Sequence, residues 1–118
     1  MDSQRRQHLR TDVRLAAELD RGDRRPFTAV TRNVSVGGAA LESAHPIHDG
    51  ELFKLSLFLV EQDIEDETMP PLVLGARVVW AAEGDHGRFT AGVRFEKISA
   101  AQTEWLAKFL EAFVHEAE

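Results

Sequence analysis

From Leu72 to Ala82 the chain alternates, with Leu74, Ala76, Val78 and Trp80 on one side of an extended backbone and Val73, Gly75, Arg77 and Val79 on the other. Strand side chains point to opposite faces in turn, whereas a helix repeats about every 3.6 residues, so a run this long commits the segment to a strand with one buried face. Shorter runs of the same kind recur. Val13, Leu15, Ala17 and Leu19 alternate with Arg14, Ala16, Glu18 and Asp20, and Phe27 to Asn33 reads as the return strand. Ala39 to Leu41 is a short strand, Leu52 to Val60 places Phe53, Leu55, Leu57 and Leu59 on one face, and Arg88 to Phe95 closes a hairpin through Gly84-Asp85-His86-Gly87. Turn residues separate these runs at Arg21 to Pro26 and at Ala44 to Gly50. Six such strands at close spacing predict a small antiparallel barrel, because closure removes the exposed edges. Phe58 and Val60 break the polar face of the fourth run and predict cover from the terminal helix or a partner.

After Ser99 the period changes. Ser99 and Gln102 have the spacing of a capping box, and Trp105, Leu106, Phe109, Leu110, Phe113 and Val114 form an apolar stripe over a helix at about 99–116. The stripe is expected to seal one barrel opening. Its six large residues also offer a contact between copies, so the expected state is a monomer or a weak homodimer through this helix. The length allows one domain, divided into a polar arm at 1–11, expected to be flexible, and a barrel with its helix at 12–118. Glu61 to Pro71 carries five acids in seven residues without the glycine and terminal glutamate of a calcium loop, and reads as solvated surface. There is no cysteine, the first residues lack an apolar signal core, and no run is long enough to span a bilayer. Cytoplasmic residence without membrane insertion is the expectation.

Charge is unevenly placed. Residues 1–32 hold eight arginines and five acids, while the remainder holds six basic and fifteen acidic residues, for a net charge of −6. An acidic protein is a poor match for long nucleic acids, which need many phosphate contacts, but a basic arm suits a small anion. Arg5, Arg6 and Arg10 fall within six residues, and planar guanidinium forks fit phosphate oxygens, guanine edges and purine faces. Farther along, Asn33-Val34-Ser35-Val36-Gly37-Gly38 ends a strand. On an extended backbone Asn33 and Ser35 share a face, and Gly37 and Gly38 permit a positive φ and a close approach of backbone to ligand. No chemistry is evident: Ser35 has no nearby base in sequence, the five histidines are scattered apart from His45-x-x-His48, and neither an enzyme nor a metal site is expected.

Together, the R-x-x-x-R of Arg6 and Arg10 and the N-x-S-x-x-G of Asn33 to Gly38 resemble the motif pair of PilZ domains, bacterial receptors for cyclic di-GMP. Val78-Val79-Trp80, Gly92-Val93-Arg94-Phe95 and the helix after them are similar to the late hairpin and end of that family, so the resemblance spans nearly the whole chain. It implies a mainly β fold, a six-stranded antiparallel PilZ-type barrel with a C-terminal helix and an N-terminal arginine arm. It assigns Arg6 and Arg10 to clamping phosphates and guanine edges, Asn33 and Ser35 to hydrogen bonds with ligand, and Gly38 to the last motif position, with Gly37 beside it in the same ligand-binding turn. Arg5, just before the motif, is associated in the family with capture of an intercalated cyclic di-GMP dimer. Two residues rank second. Trp80 offers a stacking face but alternates with Val78, which favours the core, and Arg94 should point outward to ligand or solvent. The implied function is a non-catalytic cyclic di-GMP receptor, needing no other cofactor, whose arm orders on binding and signals to an unidentified partner in motility, exopolysaccharide or biofilm control. The alternative is a PilZ-like module binding a pilus, flagellar or chemotaxis protein with little nucleotide affinity.

Overall fold

The computed structural model describes residues 10–59 and 70–117, those from 113 onward by backbone alone. Arg5, Arg6, the acidic segment and Val60 therefore lie outside the described residues, as do the side chains of Phe113 and Val114 on which part of the dimer expectation rests. Six strands form a closed barrel: β1 (Ala16–Asp20), β2 (Phe27–Val34), β3 (Gly38–Ser43), β4 (Leu52–Leu57), β5 (Leu72–Glu83) and β6 (Phe89–Lys97), in the order β1-β2-β3-β6-β5-β4. Every pairing is antiparallel. The alternation read from the sequence fills the interior: Leu19, Leu41, Leu55, Leu57, Leu72 and Val78 are all fully buried.

β1 is shorter than the run from Val13 implies, although Val13 and Leu15 are still buried. The reason lies in Thr31. Its buried hydroxyl donates to the Val13 carbonyl (2.6 Å) and accepts from the Leu15 N–H (2.8 Å), so a side chain takes over part of the pairing there, while the Thr31 N–H still donates to the Leu15 carbonyl (2.9 Å). The register of β2 against β3 shifts between Thr31 and Asn33, which lets Thr31 and Val34 both point inward.

The helix α1 (Ala100–Ala117) carries the expected reciprocal cap, with the Ser99 N–H donating to Gln102 Oε1 (2.9 Å) and the Gln102 N–H to Ser99 Oγ (3.1 Å). Gln102 Nε2 also donates to the Val73 carbonyl (2.6 Å), fixing the helix start to β5. Leu106, Phe109 and Leu110 are buried in the same core as the barrel, and Trp105 packs against it. Phe58 is not covered by the helix and stays exposed.

At the β1–β2 turn, Arg21 lies over the rings of Phe27 and Phe53 and donates to Glu51 (3.0 Å) and to the Pro46 carbonyl (2.9 Å). Partial burial pushes the Glu51 carboxyl up, but the Arg21 hydrogen bond, the His48 N–H and the neighbouring positive charges outweigh it, and the pKa lies below 4.5. A carboxyl depressed on folding contributes stability above its unfolded pKa and loses it as pH falls through the folded value. Glu51→Gln is thus expected to melt below the wild type at neutral pH, with the two converging as pH drops below 4.5. A gap that persisted unchanged in acid would show that the charge on Glu51 contributes nothing.

Candidate functional site

The arm meets the barrel at the end of β2. Thr11 exchanges both backbone hydrogen bonds with Val34 (2.8 and 2.9 Å), an isolated bridge that fixes where the chain leaves the arm. Next to it, Arg10 Nη1 donates to Asn33 Oδ1 at 2.7 Å. Two sequence motifs 23 positions apart are thereby in direct contact. A guanidinium has five N–H donors in a flat fork, so among the described residues most of the Arg10 fork has no acceptor.

Ser35 is placed differently from Asn33. It is buried, its N–H donates to the Gly38 carbonyl (2.8 Å), and its hydroxyl oxygen accepts from the Gly37 and Gly38 N–H groups (3.1 and 3.2 Å). Asn33 and Ser35 do not share one open face, because the shift in β2 and the turn after Val34 interrupt the alternation that the sequence pattern implies. Ser35 instead shapes the turn beneath Asn33. The glycines also differ from expectation. The left-handed glycines among the described residues are Gly22, Gly50 and Gly87, and not those of the motif. At Gly38 a Cβ would collide with the Val93 carbonyl, so the absent side chain is needed for close pairing of β3 with β6.

Beyond the turn, one row of paired residues crosses the outside of the barrel. Asn33 faces Ala40, Ala40 faces Gly92, and Gly92 faces Trp80. Three strand spacings make this about 14 Å from Asn33 to Trp80. A register shift between Val78 and Trp80 turns Trp80 outward, with 46% of its surface exposed, which overturns its assignment to the core. A Cβ on Gly92 would overlap the pyrrole side of the indole, so Trp80 lies across Gly92 and presents a free ring surface. Arg94 points outward as expected, opposite Gly38 and beside Arg77. Both arginines donate to Glu96 Oε2, at 3.0 Å from Arg94 and 2.9 Å from Arg77, and these bonds hold the Glu96 carboxyl below its usual range.

A cationic fork and an amide at one end of the row, an aromatic face at the other and small residues between them suit a flat anionic ligand with planar rings. The sequence pattern did not disclose the roles of Gly92 and Thr31. Gly92 stands in the late hairpin, but a bulge that brings Trp80 over it leaves no mark in the residue pattern. His45, one of the two closely spaced histidines, stacks on Phe27 (5.0 Å between ring centres), and no three described residues are grouped to hold a metal. No helix among the described residues is long and apolar enough to cross a membrane.

The sequence model of the PilZ domain matches residues 4–112 of the chain. The fold is similar to that of the Bacillus subtilis inhibitor of motility, MotI/DgrA, with a TM-score of 0.78 and 20% identity over 97% of this chain and 53% of that one. It is also similar to the PilZ domain of Escherichia coli YcgR solved with c-di-GMP (TM-score 0.74, 16% identity, 96% of this chain and 94% of that one). The K. pneumonia MrkH–c-di-GMP complex gives a TM-score of 0.76 at 16% identity over 93% of this chain and 52% of that one. The chain thus spans about half the length of MotI and MrkH. No curated protein matches it in sequence.

Proposed function

Since the chain belongs to the PilZ domain family, we propose that it is a non-catalytic receptor for cyclic di-GMP. The observation that carries this reading is the 2.7 Å hydrogen bond from Arg10 to Asn33, which joins one residue of each motif on the outer barrel face. Two solved structures of similar fold, those of YcgR and MrkH, contain c-di-GMP.

In this reading, Arg6 and Arg10 hold phosphate oxygens and the guanine edge, and Asn33 accepts or donates to the same ligand. Ser35, Gly37 and Gly38 keep the turn in shape beneath Asn33 through hydrogen bonds made within the turn. Trp80 stacks on a guanine, a sequence-tolerant contact because any purine has a face to offer. Arg94 lies along the edge of this surface. Arg5 adds a third fork that suits two stacked ligand molecules. Ligand phosphates draw the arm onto the barrel, and the altered surface is then read by a partner in motility, exopolysaccharide or biofilm control.

The test is isothermal titration of cyclic di-GMP into the protein, with GTP as the control nucleotide. Saturable heat with cyclic di-GMP alone is expected, and a ratio near two per chain would assign a second ligand to Arg5. Absence of any heat with cyclic di-GMP at high concentration would overturn the receptor reading and leave the fold intact.

A further inference from the structure

Three arginines that belong to neither motif gather around a single acid on the outer face of β3. Glu42 lies 3.0 Å from Arg88 Nη2, 3.8 Å from Arg14 Nη1 and 3.9 Å from Arg32 Nε. Only the Arg88 contact is a hydrogen bond; at the other two distances the guanidiniums are attracted without donating. One carboxylate cannot neutralise three permanent cations, so among the described residues the cluster carries a net charge of about +2 in a protein whose total is −6. The side chains are accessible, with Arg14 65% exposed, Arg32 54% and Arg88 51%.

Position makes the cluster informative. Arg32 occupies the register shift immediately before Asn33. Glu42 is two residues along β3 from Ala40, the partner of Asn33, and so lies about 7 Å from the row that joins Asn33 to Trp80. The three forks therefore continue the basic surface that begins at Arg10, on the same outer face. A structural ion network would bring acids to match its cations; here most of the donor capacity of Arg14 and Arg32 is unused among the described residues.

We propose that Arg14, Arg32 and Arg88 form a second phosphodiester subsite, with Glu42 holding Arg88 in place and the other two forks free to meet an anion. The subsite rests on the reading of the protein as a cyclic di-GMP receptor. Its phosphodiester comes either from the far side of one ligand molecule or from a second molecule stacked on the first.

The experiment is titration of cyclic di-GMP into wild type and Arg14→Ala/Arg32→Ala at several salt concentrations, with melting temperatures of both. The exposed side chains leave the melting temperature unchanged. A roughly tenfold or larger loss of affinity at constant stoichiometry, with a shallower salt dependence, is expected if one molecule spans both subsites. A fall from two ligands per chain to one identifies the second molecule and equally supports the proposal. Affinity, stoichiometry and salt dependence all equal to wild type would overturn the subsite while the receptor reading stood. A wild type that failed to bind at all would remove both.

Discussion

Arg10→Ala is expected to weaken cyclic di-GMP binding by roughly tenfold to a hundredfold, because each charge-assisted contact of the fork contributes about 1.5–3 kcal/mol. The substitution is clean. Arg10 is exposed, its described side-chain partner is Asn33, and the backbone anchor of the arm is formed by Thr11 and Val34. Arg10→Lys keeps the charge and loses the planar fork, so an intermediate affinity would show that geometry as well as charge is read. Removing Arg6 together with Arg10 should bring binding below detection in the same titration. Equal affinity for wild type, Arg10→Ala and the double variant would exclude the arm from the site.

Thr31→Val is expected to cost about 2–4 kcal/mol of folding stability, because it leaves the Val13 carbonyl and the Leu15 N–H buried without partners. Valine matches threonine in shape, so the loss isolates the hydroxyl and its two hydrogen bonds of 2.6 and 2.8 Å. The melting temperature should fall by roughly ten degrees. Thr31→Ser, which retains the hydroxyl, should lose much less. The position also matters for function, since Val13 to Leu15 is the segment that leads from the arm into β1. A Thr31→Val protein as stable as wild type would mean that water or a shifted backbone satisfies both groups.

The barrel was legible because the signals for it are local. Alternation in Leu72 to Val78 and in Leu15 to Leu19 reports which face is buried without reference to any other strand, and the Ser99/Gln102 cap is formed by residues three apart. The outward placement of Arg94 follows from the same alternation with Val93 and Phe95. Arg10, Asn33, Ser35 and Gly38 were likewise visible as a spaced set of forks, amides and small residues.

The residues alone therefore settled the period of each segment, the fold class and the identity of the arginine and Asn/Ser/Gly motifs. Only the tertiary structure decided how they are used. Two register shifts, one after Thr31 and one before Trp80, exchange the inner and outer faces of the strand residues beyond them. They put Trp80 on the surface across Gly92, and Asn33 outward between an exposed Arg32 and a buried Val34. A strand has a period of two, so a single extra residue exchanges its faces, and the force that inserts it comes from pairing with a neighbour distant in sequence. No residue within the strand records that pairing.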